Sequence, residues 1–429
     1  MPTAPIEHRY PCDNCGAALA FAPGQDALVC PYCGHVQKIS PGAAQAPARQ
    51  HAGGPEGQDV LLGTGATGRA IQWDAGHKAP GLDEIPLARG LRLDETSDLA
   101  ETVRTLSCPN CGAKIEQDST RHASTCPFCA TPVVTDTGAT RLIKPQAVLP
   151  FVLTEAQARA ALEDWLRGLW FAPNGLVQYA RRGRRMQGVY SPFWTFDADT
   201  HTRYHGQRGD YYYDTIYVTQ VVDGRPRQVA QQVRRTRWTP RSGQVARAFD
   251  DVLVLASASL PRRFTDALAP WELSHLTPYD PRYLSGFSAE GYTVPLAEGH
   301  QIARQEMAAV IAVDIRRDIG GDEQRITSAE TRHEAETFKH VLLPIWLAAY
   351  KYNGKSYRFV VNGQSGRVQG DRPWSVWKIA LAVLAALLAG AMLMLLSEGG
   401  GSFDLGAAPA ITPAPAVTAA APGPPWTVT

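Results

Sequence analysis

The sequence contains no cysteine outside four C-x-x-C pairs, so no isolated thiol remains to act as a nucleophile. It also lacks the G-x-S-x-G motif of serine hydrolases and the H-E-x-x-H motif of zinc peptidases. Its formal net charge is only +1, so the composition does not require a nucleic-acid partner. These absences remove the common hydrolase classes and predict a protein that is not an enzyme.

Two segments match nucleotide-binding motifs only in part, and we do not predict nucleotide binding at either. Residues 353–356 include Gly-Lys-Ser, but Ala349 stands where a phosphate loop needs its first glycine, and the residues fall in a predicted hairpin turn. Gly63–Gly68 matches G-x-G-x-x-G within a glycine-rich segment that no clear helix follows. His201 and His205 would share one face of a strand, and we interpret them as exposed polar residues rather than metal ligands.

The cysteines that are present form two sets with one spacing, C-x2-C-x14-C-x2-C, which is typical of a four-cysteine zinc ribbon. Two residues between cysteines let a tight turn aim both sulfurs at one ion. Disulfides would need an oxidising compartment, and a redox C-x-x-C would not recur four times at this spacing. We predict two structural Zn2+ ions, held by Cys12, Cys15, Cys30 and Cys33 and by Cys108, Cys111, Cys126 and Cys129. The nearby His35 and His122 are predicted not to be ligands.

One aromatic residue precedes the last cysteine of each set. We expect these residues, Tyr32 and Phe128, to be exposed anchors for partner proteins at the tips of the ribbons. The alternative is that both rings pack against their own hairpins. Because modules this small bury little apolar surface, zinc must contribute most of their stability.

Ile379–Leu396 is an unbroken run of 18 apolar or small residues, which as a helix would cover roughly 27 Å of a bilayer. Trp374, Trp377 and Lys378 precede it, as at a membrane interface. Lysine and arginine occur before the run but not after Ser397, so the positive-inside rule places the N-terminal part in the cytoplasm and the tail outside. The alternative is a buried helix of a soluble domain. A stripe of small residues on this segment predicts self-association: Ala382, Ala386 and Gly390.

These signals divide the chain into six parts of an α+β multidomain protein. We predict a first zinc ribbon (ribbon 1, 1–40), a flexible linker (41–100), a second zinc ribbon (ribbon 2, 101–137), an α+β domain rich in antiparallel sheet (140–372), a transmembrane helix (376–397) and a disordered extracytoplasmic tail (398–429).

The α+β domain carries recognisable helix and hairpin signals. Thr154 and Gln157 form a capping box that predicts a helix to Trp170, and apolar spacing predicts another over 296–317. Strands are expected over 188–222, ending at Asp223-Gly224, and over 343–368, with turns at Asn353-Gly354 and Asn362-Gly363. Residues 189–194 resemble residues 342–346, through either an internal duplication or chance.

Arginines concentrate in two segments of the domain. They neutralise nucleic-acid phosphates, contact anionic lipid headgroups, or form a solvated strand face, and the sequence leaves all three readings open. The clusters are Arg181, Arg182, Arg184 and Arg185, and Arg225, Arg227, Arg234, Arg235, Arg237 and Arg241 with Trp238 among them.

Three stretches, together with ribbon 2, resemble a family of bacterial membrane-anchored zinc-ribbon proteins that are often labelled primosomal or helicase-like. The stretches are Leu149–Leu176, Gly188–Tyr212 and Leu342–Ser375. Members of this family are found beside SPFH (flotillin-like) and phage-shock-type membrane proteins, so the resemblance implies a role in membrane scaffolding. It brings no catalytic residues, and the sequence has no complete Walker A motif to support helicase activity.

The sequence therefore predicts a single-pass protein of the inner (cytoplasmic) membrane. Its ribbons and α+β domain would recruit protein partners, SPFH/flotillin-like or stress-response proteins among them, to the cytoplasmic face. The alternative function is a membrane-tethered nucleic-acid-binding regulator that uses the arginine clusters.

Overall fold

Long antiparallel strands dominate the computed structural model, which describes residues 10–39, 84–92, 99–108, 111–116, 123–128, 132–134, 138–169, 186–222, 225–352, 355–371 and 375–399, together with Leu82. The fold is sheet-rich α+β, as the sequence predicts. The strands are β1 (Ala20–Ala22), β2 (Ala27–Val29), β3 (Val36–Lys38), β4 (Ile85–Pro86), β5 (Ala100–Ser107), β6 (Lys114–Glu116), β7 (Ala123–Thr125), β8 (Pro132–Val134), β9 (Gly138–Ile143), β10 (Ala147–Val148), β11 (Gln187–Val222), β12 (Arg225–Leu255), β13 (Thr277–Pro278), β14 (Ser288–Gly291), β15 (Glu323–Tyr352), β16 (Lys355–Asn362) and β17 (Val368–Gly370).

Five α-helices accompany these strands in the described part of the chain. They are α1 (Leu87–Gly90), α2 (Glu155–Arg167), α3 (Arg262–Asp266), α4 (Leu296–Ile319) and α5 (Val376–Gly399), with two short 3-10 helices at Leu273–His275 and Pro281–Leu284. The capping box is confirmed, because Gln157 N donates to Thr154 Oγ1 and Thr154 N donates to Gln157 Oε1. Helix α2 ends three residues before the predicted Trp170, and α4 matches its predicted range closely.

Strands β11, β12 and β15 form a sheet in which β11 lies in the middle. Val222 pairs with Arg225, so the chain reverses at 223–224, where Asp-Gly predicts a turn; those two residues lie outside the described part. Strand β15 pairs with β11 only as far as Gly209, opposite Glu323. Beyond that point, within the part of the chain that the structure describes, β11 and β12 pair only with each other and form a two-stranded ribbon. We call the three-stranded part, with β11 residues 199–209 at its centre, the blade, and the two-stranded part, 210–222 with 225–237, the arm.

Helix α4 packs against one face of this sheet. Its apolar face packs against Trp194, Phe196 and Phe338, which are fully buried. Further along the blade, Arg247 donates two hydrogen bonds to Asp314 at 2.6 and 2.7 Å, and Tyr204 donates one to Asp318. Among the described residues, the helix therefore supports the blade, whereas no described helix packs against the arm.

The two similar segments, 189–194 and 342–346, pair with each other. Val189 lies opposite Ile345 and Pro192 opposite Leu342 in the β11–β15 ladder. The two segments are therefore neighbouring strands whose side chains contribute to the core on both faces of the sheet. The predicted second hairpin is confirmed as β15–β16–β17, although β15 begins at Glu323, well before the predicted residue 343.

The end of the predicted linker is ordered. Ile85 and Leu87 are buried against the α4 side of the sheet, and β4 pairs with β15 at Phe338. Linker residues 41–81 lie outside the described part, as do Arg181, Arg182, Arg184 and Arg185 and the tail from 400 onward. Within the described residues, we find no helix whose length and apolarity meet the requirements of a membrane span, so the structure does not show the transmembrane helix predicted over 376–397.

Candidate metal centres and the exposed arm

The four cysteines of ribbon 1 converge on one point. One sulfur from each lies within 4.8 Å of all the others, and the Cys12–Cys33 and Cys15–Cys30 Sγ pairs are both 3.5 Å apart. A tetrahedral ion with metal–sulfur bonds of about 2.3 Å would hold its sulfurs about 3.8 Å apart. The cluster therefore fits a single tetrahedral metal ion with small adjustments.

The turns that present these sulfurs repeat one hydrogen-bond pattern. Gly16 N donates to Cys12 O at 2.8 Å, and Gly34 N donates to Cys30 O at 3.0 Å. Both glycines have φ of +72°, a conformation that other residues rarely adopt. This pattern explains why a glycine follows the second cysteine of each of these pairs.

Hydrogen bonds shift the pKa values of the cysteines of ribbon 1 in opposite directions. The backbone amide of His35 lowers the pKa of Cys33 to about 6, which favours the thiolate form that a metal ligand requires. Although the Ala17 backbone amide lowers the pKa of Cys15, hydrogen bonds with neighbouring sulfurs raise it to about 12. Metal binding would displace the protons that remain, as thiolate sites require.

Ribbon 2 brings three of its cysteines together in the same way. Sulfurs of Cys108, Cys111 and Cys126 lie within 4.8 Å of one another, with 3.6 Å between Cys111 and Cys126. Gly112 repeats the turn, with φ of +72° and a 2.8 Å hydrogen bond to Cys108 O. The fourth predicted ligand, Cys129, and the predicted bystander His122 lie outside the described residues.

Both ribbons are built into the α+β domain. In ribbon 1, Phe21 N donates to Ser285 O at 2.9 Å, and the Phe21 ring meets Tyr283 edge-on at 5.2 Å. In ribbon 2, β6 pairs with β14 and so extends the main sheet, with Ile115 opposite Glu290. A metal ion at either cluster would therefore stabilise a surface of the domain as well as its own hairpin.

The prediction for Phe128 is wrong, whereas Tyr32 is exposed as predicted. Tyr32 is 83% exposed, but Phe128 is 1% exposed and belongs to the same core cluster as Trp271. The difference arises because ribbon 2 lies against the domain through the turn that carries Phe128. Phe128 is therefore a core residue, and Tyr32 remains the candidate contact residue of the ribbons.

We expect Phe128→Ala to lower the free energy of unfolding by about 3–5 kcal/mol, because it leaves a cavity in the core. Tyr32→Ala should change it by less than about 0.5 kcal/mol, since most of the ring already contacts solvent. Urea unfolding of the zinc-loaded chain measures both values. Equal losses for the two variants would contradict the docking of ribbon 2.

A carboxyl group is fully buried where ribbon 2 joins the domain. Glu290 accepts hydrogen bonds from Ser257 at 2.5 Å and from Ser259, and Ser191 lies 3.5 Å from its other oxygen. Burial raises the pKa of Glu290 to about 7, although the serine hydrogen bonds oppose this shift. The carboxyl is therefore protonated in the folded protein at mildly acidic pH.

This raised pKa predicts a loss of stability as pH rises. The folded state holds the Glu290 proton more tightly than the unfolded state, so the benefit is complete below the unfolded pKa of 4.5 and disappears through about 7. The change amounts to roughly 3 kcal/mol. Glu290→Gln should reduce the slope of urea midpoints measured between pH 5 and 8, while the exposed control Glu298→Gln keeps the slope of wild type. Parallel profiles for wild type and Glu290→Gln would contradict the assignment.

The arm carries five of the six arginines of the second cluster, together with a row of exposed tyrosines. Tyr213 and Tyr217 are 67% and 69% exposed. Arg234 stacks over Tyr211 with 4.2 Å from its guanidinium carbon to the ring centre, and Arg237 lies 5.1 Å from the Tyr212 ring. At the base of the arm, Arg325 covers Trp238 at 3.8 Å. The arm thus presents aromatic and guanidinium groups together.

The structure also describes three other segments that the sequence analysis singled out: the histidines of the blade, the Gly-Lys-Ser segment and the apolar run near the C-terminus. His201 and His205 are exposed on the blade, as the sequence predicts. Lys355 begins strand β16, which agrees with the rejection of a phosphate loop. Helix α5 covers the apolar run, and its described leucines are exposed, with Leu381 at 72%.

Comparison with known proteins gives one distant relative. Over 270 residues the chain is 26% identical to the uncharacterized protein YdjG of Bacillus subtilis (strain 168), a match that covers 60% of this chain and 73% of the relative. No family model and no solved structure matches the chain. Its function is therefore inferred from its own residues.

Proposed function

We propose that this protein is a non-enzymatic, membrane-anchored zinc-ribbon scaffold that recruits protein partners to the cytoplasmic face of the membrane. The observation that carries the proposal is the arm, a two-stranded projection with exposed tyrosines on a blade that α4 supports. At about 3.3 Å per residue, its 13 residues on β11 extend roughly 43 Å beyond β15. Tyrosine and arginine are the residue types that dominate binding energy in protein interfaces.

Each cysteine cluster would hold a structural Zn2+ ion. The donor set supports this assignment, because soft thiolates at tetrahedral spacing favour zinc over hard cations. Four thiolates leave no open coordination position for a substrate or a water molecule. The zinc ions would therefore hold the ribbons against the domain and support the surface that carries Tyr32.

Helix α5 would provide the membrane anchor. Its large apolar side chains have no cover within the described part of the chain; Leu381 is 72% and Leu387 is 66% exposed. The 18-residue run Ile379–Leu396 contains no charged residue, which supports a bilayer as the surroundings of these side chains. At Gly390 nothing lies within 4 Å of where a Cβ would stand, so a second copy of the helix could approach there.

We expect the full-length chain to remain in the membrane fraction after an alkaline carbonate wash, because only embedded apolar side chains resist this treatment. A chain that ends at Asp371 should move to the supernatant with both zinc ions still bound. Fractionation followed by zinc analysis of each fraction measures both outcomes. Retention of the shortened chain in the washed membranes would contradict α5 as the anchor.

The arm also supports a second candidate, binding of nucleic acid. A two-stranded ribbon fits the major groove of DNA, and tyrosines stack on unpaired bases. However, residues 210–237 contain five arginines and three aspartates, a net charge of only +2. Arg235 is also paired with Asp214 at 3.2 Å. Because the net charge of the arm is small and Arg235 is already paired with an aspartate of the arm, a protein partner is favoured over nucleic acid.

Crosslinked capture of the full-length chain from nuclease-treated membranes tests the proposal against this alternative. The proposal predicts specific membrane-associated proteins whose recovery is unchanged by the nuclease. Their loss after nuclease treatment, together with DNA or RNA binding that weakens steeply with salt, would overturn it in favour of the second candidate.

A further inference from the structure

The two outer strands of the blade, β12 and β15, differ in how their edges are protected. In the described part of the chain, β12 pairs only with β11. It carries Pro226 and Pro240, and a proline on an edge strand hinders further pairing because it has no amide hydrogen. Residues 323–336 of β15 include neither proline nor lysine. The edge of β15 therefore lacks two of the usual barriers to strand addition.

The outer side of β15 is covered only closer to the domain. Strand β4 pairs with β15 at Thr337 and Phe338, and β10 pairs with it at Val341 and Leu342. Over residues 323–336, β11 is the only described strand that pairs with β15, and it lies on the inner side. We call the outer side of these residues the open edge. Such an edge accepts a further strand through its backbone N–H and C=O groups.

Backbone hydrogen bonds identify the residues of β15 that face the open edge. Asp322 N donates to Gly209 O at 2.8 Å, and Tyr211 N donates to Asp322 Oδ2 at 2.6 Å. Odd-numbered residues of β11 therefore direct their backbone groups toward β15. Glu330 and Arg332 lie opposite such residues, so their own backbone groups point inward. The residues between them and on either side direct their N–H and C=O groups to the open edge.

Charges of opposite sign alternate along the open edge. Glu330, Arg332 and Glu334 are all exposed, and Arg332 Nη1 lies 3.8 Å from Glu334 Oε1. His333 hydrogen-bonds to Arg304 of α4 at 2.8 Å, so its side chain lies on the face that α4 covers. Because side chains alternate between the faces of a strand, the three charged residues share the opposite face.

This charge pattern is complementary to itself in an antiparallel pair. When Thr331 of two copies lie opposite each other, Glu330 of each copy lies opposite Arg332 of the other, and Glu334 lies opposite Ser328. Both charge pairs occupy positions without backbone hydrogen bonds, where Cα atoms are about 4.5 Å apart and side chains lie closest. Centring the pair on residue 330 or 332 would instead place like charges opposite each other. The charges therefore favour a second copy of this chain in one register.

We propose that two copies of this chain pair through residues 328–334 of β15, antiparallel and about a two-fold axis at Thr331. Each copy contributes the same residues, so the contact closes as a dimer. The two three-stranded blades then form one sheet of six strands, and the two arms point in opposite directions. This surface goes beyond the recruiting role of the arm, because it uses none of the residues of the arm.

Photocrosslinking of the full-length, membrane-bound chain tests this surface. A photoreactive amino acid replaces Ser328, which is exposed, and two differently tagged copies are expressed together. We expect an adduct that contains both tags and joins position 328 to β15 of the second copy near Glu334. Because the adduct forms at position 328, association through α5 alone does not produce it. Absence of a two-tag adduct would overturn the proposal.

Charge reversal tests the register. Glu330→Arg or Arg332→Glu alone places like charges opposite each other at both positions, and each should lower the adduct yield by at least about tenfold. Co-expression of these two variants, or both changes in one chain, pairs opposite charges again and should restore the yield. The control Arg227→Glu, exposed on the arm, should match wild type. Wild-type yield in the single variants, or no recovery in the combinations, would contradict pairing through the open edge.

Discussion

Replacing Cys30 by serine will reduce the zinc content of the chain from two ions to one and detach ribbon 1 from the α+β domain. Cys30 is 1% exposed, and it shares a core cluster with Phe21, Leu28 and Tyr283. A ribbon that loses its metal does not hold its fold, because zinc supplies about 10–16 kcal/mol in comparable peptides. The domain therefore loses the packing of Phe21 together with the metal.

Loss of one buried aromatic side chain costs about 3–5 kcal/mol. In a domain of this size that lowers Tm by roughly 10 °C. Elemental analysis and calorimetry of purified protein measure the two effects. His35→Ala is the matched control, because His35 lies beside the cluster and contributes its backbone rather than a ligand. A Cys30→Ser protein with two zinc ions, or with an unchanged Tm, would contradict the structural role of the ribbon.

Shortening the arm will abolish partner capture while leaving the fold intact. Replacing residues 213–234 by Asn-Gly joins Tyr212 to Arg235, which already face each other across the ladder, through a turn suited to a hairpin. Capture of partners should fall by at least about tenfold, since single interface tyrosines contribute about 2 kcal/mol or more. Crosslinked recovery from equal amounts of membrane protein measures the change.

The arm-shortened chain should keep both zinc ions and a Tm within a few degrees of wild type. The contacts at the base support this expectation, since Tyr211 N donates to Asp322 at 2.6 Å and Tyr211 Oη donates to Glu323 at 2.8 Å. Both contacts lie outside the deleted residues. Unchanged capture by this folded variant would exclude the arm as the recruiting surface.

Local sequence signals predicted the elements that depend on local chemistry. The capping box at Thr154 and the glycines after three of the four cysteine pairs are read directly from neighbouring residues, and the structure contains them. The reversal after Val222 likewise follows from Asp-Gly. Each of these features is determined by a few consecutive side chains, so no knowledge of the tertiary fold is needed.

The extent of the blade was less predictable. Strand β12 as far as Ala248 and the first half of β15 carry exposed or half-exposed residues on both faces, so they lack the burial of one face that marks a half-buried strand. The sequence therefore predicted a cluster of arginines in this segment but did not predict the long strand β12 on which they lie. Long pairing with β11, rather than burial of an apolar face, accounts for their structure.

Long-range packing explains the remaining differences. Phe128 looks like a ribbon-tip residue until the ribbon lies against the domain. A buried ion-pair network likewise joins Glu84, Asp197 and Lys339, which are widely separated in the chain and carry no motif. Such a network becomes visible only when the strand bulges bring its residues to one level.

A photoreactive amino acid placed at Tyr217 of the full-length, membrane-bound chain tests recruitment most directly, because this position is 69% exposed on the arm and supports no core contact. The control position is Val313, which is 37% exposed on α4, away from the arm. The account predicts a discrete protein adduct from position 217 and none from position 313, with or without nuclease. No protein adduct at 217, or an adduct that nuclease removes, would contradict recruitment of protein partners by the arm.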